Sequence, residues 1–452
     1  MHLGKKILAY KENILHDLNE LINIPSVSGN DPKEAERALD YILNKGSEMG
    51  FIVKKIGKVA GHIEFGEGSE LAAVLAHVDV VPAGSGWTTE PFSLSEKNGR
   101  YFGRGIVDDK GPAILALYCM KALKDNGIVP KKRLRLIIGA AEEIGMNDME
   151  TYFSFEEMPS MAFTPDSDYG ICIKEKGIMQ FEISAPAHDG TVLTEFRSGN
   201  AVNAVPSSAY ALVDCTERED NQLRRFADAK PGEYDFIYTM DGLEISAKGK
   251  AAHASTPENG LNTATHLIRI LSANFGRLAL GSLCSFIDDA IGLETNGNSL
   301  GIDCCDEESG ALTINLGRVE IADTICRCLI DVRYPVTADS GRILRKIRQR
   351  AAIDGLKTKL LNHEYPLSIE KDAPIIQILS QAYENVTGEK PELYSTGGGT
   401  YARTLNNTGV AFGPAFPGDE THIHDVDESI NVNNFWKHAQ ICLEALKGMA
   451  ES

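Results

Sequence analysis

The stretch LAAVLAHV, residues 71–78, most narrows what this chain can fold into. It is apolar on both faces, so as a strand it must be covered on both sides, as in a sheet flanked by helices. The runs RLRLIIGAAEE and SMAFTPDSD have the same character. Helical periods lie between such runs. Ile14, Leu15, Leu18, Leu21 and Ile22 share a face until Pro25 ends it, and EAERALDYILNKGSEMG and GPAILALYCMKALKDNG are further helices. FIVKKIGKVAGHIEFG alternates as strands do. Strand and helix in alternation predict an α/β domain with a mostly parallel central sheet.

Near residue 175 the texture changes. GIMQFEISAPA, SAYALVDCT, FIYTMDGLEISAKGKAAHAS, GALTINLGRVEIADTICRCLIDVRYP and GLKTKLLNHEYPL read as hairpin-like strands. GLNTATHLIRILSANF and SGRILRKIRQRAAID are helices among them. From about residue 370 the α/β texture returns, with helices in APIIQILSQAYENVTG and NNFWKHAQICLEALKGMA and a short strand in GVAFGPAF. A chain of 452 residues exceeds one ordinary core. The simplest organisation is a discontinuous α/β domain over residues 1–176 and 370–452, interrupted by an α+β domain over residues 177–369.

With 45 basic and 64 acidic residues the net charge is −19, which argues against a nucleic-acid partner, since phosphate binding needs a basic surface. The opening MHLGKKILAYKENILHDL has no signal-peptide core, and no apolar run is long enough to span a bilayer. The nine cysteines are scattered without a CxxC pair, the pattern of free thiols in a reducing compartment rather than of a zinc knuckle. A cytoplasmic protein with no membrane partner is expected.

The polar residues that end the apolar strands carry the functional signal. His77 and Asp79 are two apart, so both project from one side at a strand's carboxyl end, where open α/β sheets bind ligands. RLRLIIGAAEE ends in Glu142 and Glu143, and SMAFTPDSD passes through Asp166. RGIVDDKGP puts Asp108 and Asp109 in a tight turn before a helix, and PGDETHIHDVDES adds His422 and His424. Each alone reads blandly: a turn aspartate is most often a cap, a Glu-Glu pair a solvated face. Together they gather carboxylates that would repel one another unless a cation lay among them. Imidazole with carboxylate suits zinc or manganese better than calcium or magnesium, and the ligand number suggests two ions. Such a pair makes a nucleophile of bound water near neutral pH. Of Glu142 and Glu143, one can ligate while the other handles protons. Asp79 can hold the second nitrogen of His77.

Five segments in order, HVDVVPAG, GRGIVDDKGP, EEIG, TPDSDYG and HIHDVDES, resemble the co-catalytic zinc exopeptidase family of peptidase V-type dipeptidases, carnosinases, carboxypeptidase G, aminoacylase and succinyl-diaminopimelate desuccinylase. The resemblance runs over nearly the whole chain. It implies that His77 and Asp166 bind one metal, Glu143 and His424 the other, and that Asp108 bridges them. It implies Glu142 as general base, Asp79 as the partner of His77, His422 as a bystander, and a cis bond between Asp108 and Asp109. The cofactors implied are two divalent ions, zinc first, with manganese or cobalt as alternatives.

The inserted domain resembles the family's lid. GKAAHASTPENG implies His253 at the scissile carbonyl, GNAVNAVPSSA implies Asn203 beside the substrate, and DVRYP offers Arg333 to a substrate carboxylate. STGGGTYAR, with Gly397, Gly398 and Gly399, resembles a loop that lets substrate approach the backbone. Aspartate rather than glutamate at position 166 resembles the dipeptidase branch, closest to peptidase V. A long lid of that type implies a monomer, with a homodimer as the alternative. The expected function is metal-dependent hydrolysis of free dipeptides. Two readings stand beside it: an N-acyl-amino-acid deacylase or desuccinylase of the same fold, and a non-catalytic peptide-binding protein.

Overall fold

The computed structural model describes residues 2–452. The chain divides into two compact units, residues 1–174 with 367–395 and 399–452, and residues 175–366 with 396–398. Residues 396–398, expected with the first domain, lie with the second. The reason is local bonding: Thr396 O accepts from the Lys176 N–H at 3.0 Å, and Gly397 O accepts from Arg333 Nη1 at 3.1 Å.

In the first unit the strand Leu71–His77 is buried throughout. It pairs in parallel with Arg133–Gly139 on one side and Met161–Thr164 on the other. Gly409–Ala411 adds a further parallel strand beside Met161–Thr164. Antiparallel strands Ala60–Phe65 and Ile52–Ile56 extend the sheet past Arg133–Gly139. The sheet is thus parallel at its centre and antiparallel at its flanks. Side chains alternate between two cores, as a strand's period of two requires. Ala72, Val74 and Ala76 belong to the larger core, with residues of the helices Lys110–Asp125 and Val432–Glu451; Ala73 and Leu75 face a smaller one containing Ile137, Met149, Tyr152 and Tyr401. Burial of Lys110–Asp125 on nearly every side accounts for its continuously apolar sequence.

Register fixes what the strand ends can do. His77 lies opposite Gly139, and Val74 opposite Phe163, so three parallel strands reach the same edge and release residues 77–79, 140–143 and 165–166 together. Gly139 must be a glycine: a Cβ there would stand 1.9 Å from the Tyr401 hydroxyl.

The second unit is built on an eight-stranded sheet in the order Glu233–Tyr238, Leu243–Lys248, Ser208–Val213, Leu193–Ser198, Thr313–Ala322, Ile325–Tyr334, Gly177–Ser184, Lys357–Glu364. Its pairings are antiparallel. The helices Thr263–Phe275 and Ser340–Ile353 bury Leu267, Ile268, Leu271, Ile343 and Ile347 in its core. The helix Glu217–Ala227 was not foreseen, because its sequence is mostly charged and carries few apolar residues. It starts with a reciprocal cap in which the Glu219 N–H reaches the Thr216 hydroxyl and the Thr216 N–H reaches the Glu219 carboxylate.

Candidate metal centre

At the edge of the first unit's sheet the predicted residues converge. His77, Glu142 and Asp166 each offer a ligand atom within 4.8 Å of the others, and so do Asp108, Glu143 and His424. The Asp108 carboxylate joins the two groups, with Oδ1 2.9 Å from His77 Nε2 and Oδ2 2.8 Å from His424 Nε2. His424 Nε2 is also 3.2 Å from Glu143 Oε1, and His77 Nε2 is 3.9 Å from Asp166 Oδ2. The bond between Asp108 and Asp109 is cis.

The surroundings hold these groups in place. His77 Nδ1 lies 2.9 Å from the main-chain oxygen of Asp79, which leaves Nε2 aimed into the cluster. Asp79 therefore orients the imidazole chiefly through its carbonyl; its carboxylate Oδ1 is farther, at 3.5 Å. That carboxylate accepts from the Glu142 and Glu143 N–H groups, each at 3.2 Å, and from the Ser28 hydroxyl. Asp79 thus ties the first strand end to the turn bearing both glutamates. Asp109 begins the next helix without capping it; its side chain accepts from the His77 N–H at 3.2 Å. The buried Asp148 carboxylate accepts from the Ala140 and Ala141 N–H groups, each at 2.8 Å, and from the Tyr401 hydroxyl. Tyr401 in turn presents its ring to His77 at right angles, with centroids 6.0 Å apart. Glu428 and Arg104 form a buried pair beside Asp108 at 2.8 Å. Ser28, Arg104, Asp148 and Tyr401 were not singled out in the sequence as parts of the site, since a single polar residue carries no period; Glu428 entered only as the glutamate four residues after His424.

The electrostatics test whether cations fit. Burial and the neighbouring Asp166 push the Glu142 carboxyl well above the usual range; burial and Asp108 do the same to Asp166, and raise Glu143. Burial opposes charge on His424, yet Asp108 and Glu143 lift its pKa to about 11. Asp108 alone is held low: burial opposes its charge, but the two imidazoles overcome that. The cluster thus draws protons onto nearly every member. His77 Nε2 is buried and has no properly aligned hydrogen-bond partner. Four carboxylates and two imidazoles arranged in this way suit two divalent cations, one per group, with Asp108 able to serve both. The His424 side chain is half exposed, so the centre is open on that side.

Glu142 reaches the first group rather than standing apart, so its position allows both ligation and proton transfer. His422 belongs to neither group. It lines a surface cavity of about 280 Å³ with Lys97, Arg100 and Asp427.

In the second unit Asn203, His253, Arg333 and Gly397 lie near one another. Asn203 O accepts from the Ala254 N–H at 2.9 Å, and Ala204 forms an antiparallel bridge with His253. His253 is exposed, with Nδ1 2.7 Å from the Ser255 hydroxyl. Arg333 is buried and already paired with Asp331, through Nε at 2.6 Å and Nη2 at 3.0 Å, while Nη1 donates to Gly397 O. Gly397 has no room for a side chain, because a Cβ would meet Ser255 Cβ at 2.7 Å. The Gly398 N–H donates to Thr396 Oγ1 at 3.1 Å. Gly399 belongs to the first unit, against the Arg403 guanidinium.

Among the described residues no helix is long and apolar enough to cross a membrane. Residues 73–448 match the family description "Peptidase family M20/M25/M40". A Bacillus subtilis (strain 168) protein described as "Putative dipeptidase YtjP" is 36% identical over 470 residues, covering 100% of both chains. A Staphylococcus saprophyticus relative described in the same terms is 32% identical, covering 98% of each. Among solved structures, the fold is similar to that of the Saccharomyces cerevisiae dipeptidase Dug1p, with a TM-score of 0.63 at 16% identity over 100% of this chain and 98% of that one. Human carnosine dipeptidase 1 is similar at a TM-score of 0.61 and 14% identity, over 99% and 98%.

Proposed function

As this chain belongs to peptidase family M20/M25/M40 and is a metallopeptidase, we propose that it hydrolyses free dipeptides at a dinuclear centre. The observation that carries the reading is the Asp108 carboxylate standing between His77 and His424, with Asp166 and Glu143 completing the two sides. Two relatives that match along almost their whole length carry dipeptidase in their names, which favours free dipeptides over other substrates.

We assign His77 and Asp166 to one cation, Glu143 and His424 to the other, and Asp108 to both. The donor set favours zinc, with manganese or cobalt as alternatives. When bound, the cations supply Lewis acidity and a water acidic enough to attack near neutral pH. Glu142 takes the proton from the attacking water and returns it to the leaving amine. Its burial suits that task, since a carboxylate taken out of water is a stronger base than an exposed one. Asp79, through its hold on the Glu142 and Glu143 N–H groups, keeps base and ligand at fixed separation. We assign substrate contact in the second unit to Asn203, His253, Arg333 and the glycines at 397 and 398, and Gly399 to the continuation of that loop. Because Asp331 already occupies the Nε–Nη2 edge of the Arg333 guanidinium and Gly397 O takes an Nη1 N–H, few N–H groups are left to a substrate carboxylate. A monomer acting in the cytoplasm, where nine free cysteines stay reduced, completes the proposal.

The test is a hydrolysis panel on metal-stripped protein restored with zinc, manganese or cobalt. Free dipeptides should be cleaved, and N-acetyl and N-succinyl amino acids and tripeptides should not. Cleavage of the acylated compounds alone would move the function to deacylation. Metal binding without any turnover would favour a peptide-binding protein.

A further inference from the structure

We propose that Glu428 is a positioning residue that holds Asp108 and His424 at the spacing the second cation requires. The inference rests on the dinuclear reading above.

The two cations draw on differently supported ligands. His77 and Asp166 follow parallel strands whose register fixes where they end. Asp108 and His424 lie in irregular loops. The histidine loop is held in an uncommon conformation, with positive φ at His422 (53°), His424 (62°) and Asp427 (59°). Such backbone persists only where its surroundings determine it.

Glu428 supplies that determination. Its side chain is fully buried. Oε2 accepts from Arg104 Nη1 at 2.8 Å and the Gly105 N–H at 2.9 Å; Oε1 accepts from the Val107 N–H at 2.9 Å and the Asp108 N–H at 3.2 Å. The carboxylate four residues after His424 therefore grips the turn that ends in Asp108. Its main-chain oxygen also accepts from the Gly103 N–H at 3.2 Å. Arg104 draws in the remaining chain, donating through Nη2 to Asp425 O at 2.9 Å and Pro82 O at 3.3 Å. Three segments bearing metal ligands thus meet at one buried pair.

All four donors require an acceptor. In Glu428→Gln one carboxylate oxygen becomes an amide NH2, which faces two N–H groups it cannot accept from. The turn then shifts relative to the histidine loop, while the strand-borne ligands keep their register.

The experiment is calorimetric titration of stripped full-length protein with Zn²⁺, together with the visible spectrum of Co²⁺ added stepwise. Wild type should take two equivalents; fewer would defeat the dinuclear reading itself and not bear on Glu428 alone. In Glu428→Gln the second equivalent should weaken by about 10–100-fold, the range for residues that orient metal ligands, and the first by clearly less, since it shares only Asp108 with the displaced turn and keeps His77 and Asp166 in register. Its cobalt spectrum at one equivalent should match that of His424→Ala at one equivalent. Should an unpaired Arg104 prevent folding, the double variant Arg104→Met/Glu428→Gln removes the buried charge and should show the same selective loss. Two equivalents bound as in wild type, equal weakening of both, or failure of both variants to fold would overturn the positioning role.

Discussion

Glu142 is the residue on which the chemistry turns, and its placement sharpens the test. It lies within the first ligand group, so a base and a ligand are both geometrically open to it. The Glu142→Gln variant separates them. A general base accounts for about 10²–10⁴ in rate, so kcat should fall by at least about 100-fold. Two metal equivalents should remain bound at wild-type affinity. Loss of one equivalent in that variant would show that Glu142 ligates. At this scale the sequence was most informative where a polar residue interrupts an apolar run, as at His77 and Glu142–Glu143. It was least informative about which atom of a residue acts. Asp79 was legible as the partner of His77, but its carbonyl takes the imidazole while its carboxylate holds the glutamate turn. Nothing in a sequence distinguishes a residue's main-chain oxygen from its side chain.

Strands were legible because burial on both faces leaves an unmistakable apolar run, and their register explains why separate motifs reach one edge. The charged helix Glu217–Ala227 was not, although its Thr216–Glu219 cap is a local signal that a search for S/T-x-x-E finds. The strand Ala60–Phe65 carries a pH-sensitive group of its own. His62 is buried, with Nδ1 2.8 Å from the Tyr152 hydroxyl. Burial, and then the charge of Arg135, depress its pKa to about 4. Between the ordinary value near 6.5 and that lowered one, the unfolded chain binds a proton that the folded chain refuses. Stability should therefore fall as pH drops through this window, by about 2 kcal/mol from pH 6.5 to 5. Urea unfolding of the metal-stripped protein should show a shallower loss in His62→Asn, whose side-chain oxygen can still accept from Tyr152. Parallel slopes in the two proteins would exclude His62 as the source.

On the scale of the whole molecule, the change of texture near residue 175 marked the inserted unit because alternating hairpin strands and doubly buried strands have different periods. The return of residues 396–398 to the second unit had no such mark, since it depends on two hydrogen bonds, from Lys176 and Arg333. The charge balance of the centre has a global consequence. Cations that replace protons among mutually repelling carboxylates bind the folded chain alone. Zinc at about 100 times its dissociation constant should add about 2.7 kcal/mol per site. Scanning calorimetry should find the stripped protein melting lower, with recovery on zinc addition; an unchanged melting temperature would contradict a folded-state site.

The most direct test of the central claim is one titration read in two ways. Stripped protein receives zinc in steps while bound metal and hydrolysis of a free dipeptide are followed together. A shared Asp108 and a base beside two cations predict full activity only as the second equivalent binds. Full activity at one equivalent, or none at two, would contradict the account.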